Sequence, residues 1–114
     1  MKEEALSISR MELTAIVGLG AGGHGRMIAD ILSRSGDYSL VAWLDSDAGS
    51  HGTKVCGAPV LGDDSRLPEI FSETLNRAFI GLGSVGSSRL RRKVAASALE
   101  AGMKLPVITD PSAL

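Results

Sequence analysis

The stretch Ile16–Leu32, IVGLGAGGHGRMIADIL, decides the fold. From Leu13 to Leu19 the chain is a nearly unbroken apolar run rich in Ile, Val and Thr, the composition of a strand buried on both faces of a parallel sheet. The run stops at Gly20-Ala21-Gly22-Gly23-His24-Gly25. From Arg26 to Ser35, residues Ile28, Ile31, Leu32 and Ser35 then fall on one helical stripe, and Gly36 is placed to supply a left-handed stop. The reading is strand, glycine loop, helix. The loop holds G-x-G-x-x-G in two overlapping registers, Gly18/Gly20/Gly23 and Gly20/Gly22/Gly25. The second is preferred, because Gly18 then lies within the strand and Gly25 opens the helix.

Such a loop permits a tight turn and lets backbone approach a pyrophosphate, while the free N–H groups of the helix start meet its negative charge. Asp45 closes the next apolar run, Tyr38–Leu44, about 20 residues beyond the loop, where a carboxylate can accept from a ribose hydroxyl. The alternative role for Asp45 is a strand-end cap. His24, between two glycines at the helix entrance, is positioned to donate to a phosphate or sugar oxygen, or else is an exposed turn histidine.

Working outward, the alternation of apolar runs and helical patterns predicts an α/β fold, a small Rossmann-like three-layer domain with a mostly parallel sheet of about 4–5 strands. Val55–Leu61 reads as a short strand, at an edge because of Pro59. A helix is expected from about Ser65 to Asn76, with Asp63, Asp64 or Ser65 as its cap and Pro68 in its first turn. Ala78–Leu82 is another buried strand, and Gly83-Ser84 begins a second glycine turn. In an open parallel sheet both glycine turns face one crevice. A helix from about Ser88 to Ala101 aligns Leu90, Val94, Ala98 and Ala101, with Leu99 beside them and Gly102 as its stop; Leu105–Ile108 is a last strand. The basic run Arg89 to Lys93 fits a solvated helix face; Arg89, nearest the turn, is its best candidate for a phosphate contact. Residues 1–12 form a polar leader, 13–109 the domain, and 110–114 the start of a linker.

The 114 residues, 44% apolar and 22% charged, suit one globular domain. Glycine is the outlier, 14 residues in all. A net charge of −1 gives no basic footprint for nucleic acid. Cys56 stands alone, and His24 and His51 have no metal-ligand spacing, so no metal site is expected. Nothing in the sequence resembles a signal peptide or membrane span, so the expected compartment is the cytoplasm, without membrane insertion. No nucleophile arrangement or paired carboxylates stand out, and no catalytic residue is assigned.

The series IVGLGAGGHGRMIADIL, VAWLDSD, VCGAPVLGDDSRLPEI, AFIGLGSVGSSRLRRKV and DPSA resembles the N-terminal domain of bacterial sugar acyltransferases of the sialic acid O-acetyltransferase (NeuD) and nucleotide-amino-sugar N-acetyltransferase (PglD) type. The resemblance implies a Rossmann-like domain that binds a nucleotide sugar, such as a UDP-sugar, as acceptor. In full-length members a left-handed β-helix follows, which trimerises, binds acetyl-CoA and supplies the catalytic histidine. Carried over by position, Gly22, Gly23, His24 and the adjoining Gly25 match the loop that contacts the nucleotide sugar, Asp45 and Ser46 the pair after the second strand, and Gly83 with Ser84 the later turn. The family often has an acid where Ser46 stands and asparagine where Ser84 stands. No hexapeptide repeat precedes Leu114, so the expectation is an acceptor-binding domain that holds no cofactor of its own and turns nothing over. The alternatives are a stand-alone NAD(H)-binding Rossmann module and a non-catalytic assembly module.

Overall fold

The computed structural model describes residues 13–82 and 88–108. The leader at 1–12, the turn carrying Gly83 and Ser84, and the stretch 110–114 lie outside the described residues. Five strands form one sheet in the order β3-β4-β2-β1-β5: β1 (Thr14–Leu19), β2 (Tyr38–Leu44), β3 (Lys54–Val55), β4 (Ala58–Gly62) and β5 (Ala78–Ile80). All neighbours are parallel except β3 with β4, so the expected mostly parallel Rossmann-like sheet is present.

Three helices complete the layers: α1 (Gly23–Ser35), α2 (Leu67–Ile70) and α3 (Ser88–Glu100). Alternation along the strands divides the core in two. Ile16, Trp43, Val60 and Phe79 face α1 through Ala29 and Leu32. Val17, Leu19, Ala42, Leu44 and Ala78 face the other way, toward Leu67 of α2 and Ala98 of α3. Helix therefore covers both faces, which is why β1 and β2 read as continuous apolar runs. Irregularities in pairing fall at Ile16/Val17 against β2 and at Trp43/Leu44 against β4; they leave Val41 and Leu61 out of register and partly exposed.

The structure corrects five expectations. Helix α1 begins at Gly23, two residues before the Gly25 expected to open it, so the last glycines of the loop belong to its first turn. Val55–Leu61 is not one edge strand: β3 and β4 form a hairpin, and β4 lies between β3 and β2. Pro59 is tolerated there because pairing with β2 begins only at Val60. The helix expected over 65–76 is a 3-10 turn at Asp64–Arg66 followed by α2, which stops at Ile70. Beyond it the Ser72 hydroxyl accepts from the N–H groups of Thr74 and Leu75 (3.2 and 3.0 Å), a local turn that competes with further helix. Leu105–Ile108 is not a strand; parallel pairing with the β5 side is a single bridge between Arg77 and Lys104, and Pro106 has no N–H to extend it. Both long helices are followed by a glycine in the left-handed region, Gly36 and Gly102, whereas Leu99 faces solvent rather than the core.

The β3–β4 hairpin turns on Cys56 and Gly57, both with positive φ (50° and 82°), as a type I′ turn requires. Glycine accepts this at no cost; cysteine does not. Cys56→Asn is therefore expected to stabilise the domain by about 0.5–1 kcal/mol, measured as a rise in thermal midpoint. An unchanged or lower midpoint contradicts the turn assignment.

Candidate functional site

Backbone pairing continues past the assigned strand ends. The Gly20 N–H donates to the Leu44 carbonyl (2.8 Å), the Gly81 N–H to that of Leu19 (2.7 Å) and the Asp45 N–H to that of Gly62 (2.8 Å). The loops after β1, β2 and β5 are thus held side by side at one edge. The chain leaves β1 toward β2 on one flank and reaches β5 on the other, which puts the topological switch point, where ligands enter open α/β sheets, between β1 and β5.

The glycines at this edge fall into two groups. A Cβ on Gly25 or on Gly81 would lie 2.1 Å from the Gly20 carbonyl oxygen, and one on Gly18 would lie 2.4 Å from the Trp43 ring. These glycines let α1, β1 and β5 close on one another. A Cβ on Gly22 or Gly23 would meet nothing within 4 Å. Gly22 has an extended backbone (φ −78°, ψ −164°) and caps α1 without any side-chain hydrogen bond. Glycine at 22 and 23 is therefore required neither by packing nor by backbone conformation, and both residues are exposed.

Asp45 builds the neighbouring loop. Its Oδ2 accepts from the Ala21 N–H (2.7 Å) and its Oδ1 from the Asp47 N–H (2.8 Å), tying the glycine loop to the end of β2. The His51 ring approaches the Asp45 carbonyl at 2.7 Å through Nε2, and Asp47 caps the 3-10 turn at Ala48–Ser50 by accepting from the Gly49 N–H. Asp45 is thus at least the strand-end cap that its position allows. Asp45→Ala is expected to cost about 1–2 kcal/mol and to speed hydrogen exchange at the Ala21 and Asp47 amides; Asp45→Asn, which keeps one acceptor, loses less. Unchanged exchange at Ala21 in Asp45→Ala contradicts this role. Nearby, the Ser65 hydroxyl and N–H donate to Asp63 and, with the charges of His51 and Arg66, hold its carboxyl below the usual carboxylate range.

Two cavities flank the end of β5. One, of about 220 Å³, opens against Gly20, Asp45, Ser46, Asp64 and Lys93, over an apolar wall that includes Leu82, Leu90 and Val94. The other, of about 440 Å³, is lined by His24, Met27, Phe79 and Arg91 together with the stretch after Lys104. The candidate residues therefore do not all converge: Asp45 and Ser46 share the first cavity, while His24, half-buried in the first turn of α1, lines the second. Arg89 is exposed and lines neither. Its place is taken by Lys93 in the first cavity and by Arg91 in the second, where the guanidinium donates to the Leu82 carbonyl (2.7 Å). Lys93 was legible in the sequence, since Leu90, Lys93 and Val94 are i, i+3 and i+4 on one helix face. Asp64 and His51 gave no such signal. Among the described residues no group of three or more His, Cys, Asp or Glu gathers as a metal site, and no helix is long and apolar enough to cross a membrane.

A mostly parallel sheet covered by helix on both faces, with a glycine loop at its switch point, defines a Rossmann-like class of domain. Within that class the match is specific: the model of the PglD N-terminal domain family covers residues 15–98, and the chain belongs to this family. Among solved structures it is similar to PerB from Caulobacter crescentus, solved with CoA and GDP-perosamine, at 33% identity and a TM-score of 0.72, over 86% of this chain and 43% of that one. It is also similar to the acetyltransferase domain of PglB from Neisseria gonorrhoeae, at 31% identity and a TM-score of 0.67, over 85% of this chain and 44% of that one. The chain thus spans less than half the length of either relative. RSP, a Rex-family repressor, solved with NADH, shares the fold at 17% identity and a TM-score of 0.64, over 93% of this chain and 54% of that one. No curated protein sequence matches the chain.

Proposed function

We propose that the chain is the acceptor-binding domain of a cytoplasmic sugar O- or N-acetyltransferase and that it holds the nucleotide end of a nucleotide sugar. The observation that carries this reading is the partition of the glycines. Gly18, Gly25 and Gly81 are accounted for by contacts within the chain, but Gly22 and Gly23 are not. Their missing side chains leave the start of α1 open to close approach by a ligand, as a pyrophosphate requires. Membership of the PglD N-terminal family supports the same class of ligand. A UDP-sugar widens to a nucleoside diphosphate sugar, because PerB was solved with GDP-perosamine.

In the reaction, the sugar amine or hydroxyl attacks the acetyl-CoA thioester carbonyl, the C–S bond breaks, and the amide or ester forms as CoA leaves as the thiol with the nucleophile's proton; this domain contributes orientation and binding energy to that encounter. The base and the acetyl-CoA site belong to other parts of such an enzyme, and none of the residues placed here is given a proton-transfer role. Calorimetry of the 114-residue chain against UDP-N-acetylglucosamine, GDP-mannose and NADH tests the reading. Saturable binding of a nucleotide sugar in preference to NADH is expected. No heat from either nucleotide sugar at millimolar concentration, or preference for NADH, overturns it.

A further inference from the structure

We propose that the cavity between the end of β2 and α3 selects guanine among the nucleobases, with Asp64 accepting from the base N1–H and 2-amino group and Lys93 donating to O6. The inference rests on the nucleotide-sugar reading above and specifies the base. At about 220 Å³ the cavity is smaller than the roughly 300–1,000 Å³ that encloses a whole small-molecule ligand; it suits one planar part of a nucleotide sugar. Its walls are apolar where Leu82, Leu90 and Val94 face the space, as the faces of a base require.

Polar recognition then falls to a small set of side chains. Both oxygens of Asp45 already accept backbone N–H groups of this chain. The Ser46 hydroxyl, which can donate or accept, does not discriminate between base edges. Asp64 and Lys93 line the same cavity, and neither side chain has a hydrogen-bond or ion-pair partner among the described residues. A carboxylate only accepts and an ammonium only donates. The base edge that fits the pair must present adjacent donors to the carboxylate and an acceptor to the ammonium. Guanine does so, with N1–H and the 2-amino group beside each other and O6 next to N1. Uracil offers a single N–H flanked by two carbonyl oxygens, one of which would oppose the carboxylate. Adenine presents N1 as an acceptor, which a carboxylate repels.

Titration calorimetry of the chain with GDP, inosine diphosphate, UDP and ADP tests the assignment. A hydrogen bond to a charged group is worth about 1.5–3 kcal/mol, so GDP is expected to bind about 10- to 100-fold more tightly than UDP or ADP. Inosine diphosphate, which lacks only the 2-amino group, is expected to be at least about tenfold weaker than GDP. Asp64→Asn should remove most of the GDP-over-inosine preference without shifting the thermal midpoint, and Lys93→Ala should weaken both ligands alike, since both keep O6. UDP binding as tightly as GDP, equal binding of GDP and inosine diphosphate, or an unaltered ratio in Asp64→Asn overturns the guanine assignment and leaves nucleotide binding standing. Failure of all four diphosphates to bind overturns both.

Discussion

Gly25→Ala is expected to destabilise the domain by at least about 3 kcal/mol, and Gly25→Val to abolish its cooperative unfolding transition. Gly23→Ala, two residues away, is expected to leave the domain folded. The difference follows from what a Cβ would meet. At position 25 it would sit 2.1 Å from the Gly20 carbonyl oxygen and 3.0 Å from the Trp43 ring. A backbone oxygen cannot rotate away as a side chain can, and this one lies in the turn between β1 and α1, beside Gly81 of the β5 end. Relief of the clash therefore requires α1 to move off the sheet, which costs part of the burial of Ala29 and Leu32. Against a total stability of about 5–15 kcal/mol, that is a large share. At position 23 the Cβ meets nothing, and alanine in place of a helical glycine adds up to about 1 kcal/mol. Its effect should appear in ligand binding, as an affinity loss of about tenfold or more, because the methyl group occupies the approach left open to the pyrophosphate. Chemical denaturation followed by circular dichroism, paired with calorimetry, checks both halves. A stable Gly25→Ala, or a Gly23→Ala that binds nucleotide sugar undiminished, contradicts the partition on which the proposed function rests.

That partition marks a boundary of what the sequence discloses. The glycine spacing places the loop, yet the same letter serves at Gly25, where helix meets backbone, and at Gly23, where nothing of this chain comes near. Only three-dimensional neighbours tell them apart. Strands β1 and β2 were legible because each is buried on both faces and made of residues that suit a strand. The hairpin of β3 and β4 was obscured by Pro59, whose missing N–H argues for an edge unless the partner strand is known to start at Val60. The helix expected to reach Asn76 failed for a local reason, the Ser72 turn, which a propensity reading cannot weigh against a stripe of Leu67, Ile70 and Phe71. At the site, chain order favoured Arg89 as the residue nearest the second glycine turn, whereas helical phase brings Lys93 to the cavity that Asp45 and Ser46 share.

Trp43→Ala is expected to cost about 3–5 kcal/mol, and its main consequence lies in how it couples to the glycines packed against the indole. The indole is fully buried, packs edge-on against Phe79 with ring centroids 5.6 Å apart, and donates from Nε1 to the Val55 carbonyl at 2.8 Å. It thereby joins β2 to the outer hairpin through a side chain. Its six-membered ring is also the surface against which β1 and the first turn of α1 close, since Cβ positions on Gly18 and Gly25 would reach it at 2.4 and 3.0 Å. Trp43→Phe keeps an aromatic ring against Phe79 but gives up the hydrogen bond to Val55, so a smaller loss of about 1–2 kcal/mol is expected. The coupling can be measured directly. Gly18→Ala in the natural background drives a methyl group into the indole. In a Trp43→Ala background the same methyl group enters the space the ring has vacated, with Phe79 as the remaining close neighbour, at 2.8 Å. The penalty of Gly18→Ala should therefore shrink by about 1 kcal/mol or more in the double variant. Denaturation is followed by far-ultraviolet circular dichroism, because Trp43 is the only tryptophan and its removal takes the fluorescence signal with it. Strictly additive losses show that the indole does not set the penalty at Gly18, which must then come from Phe79.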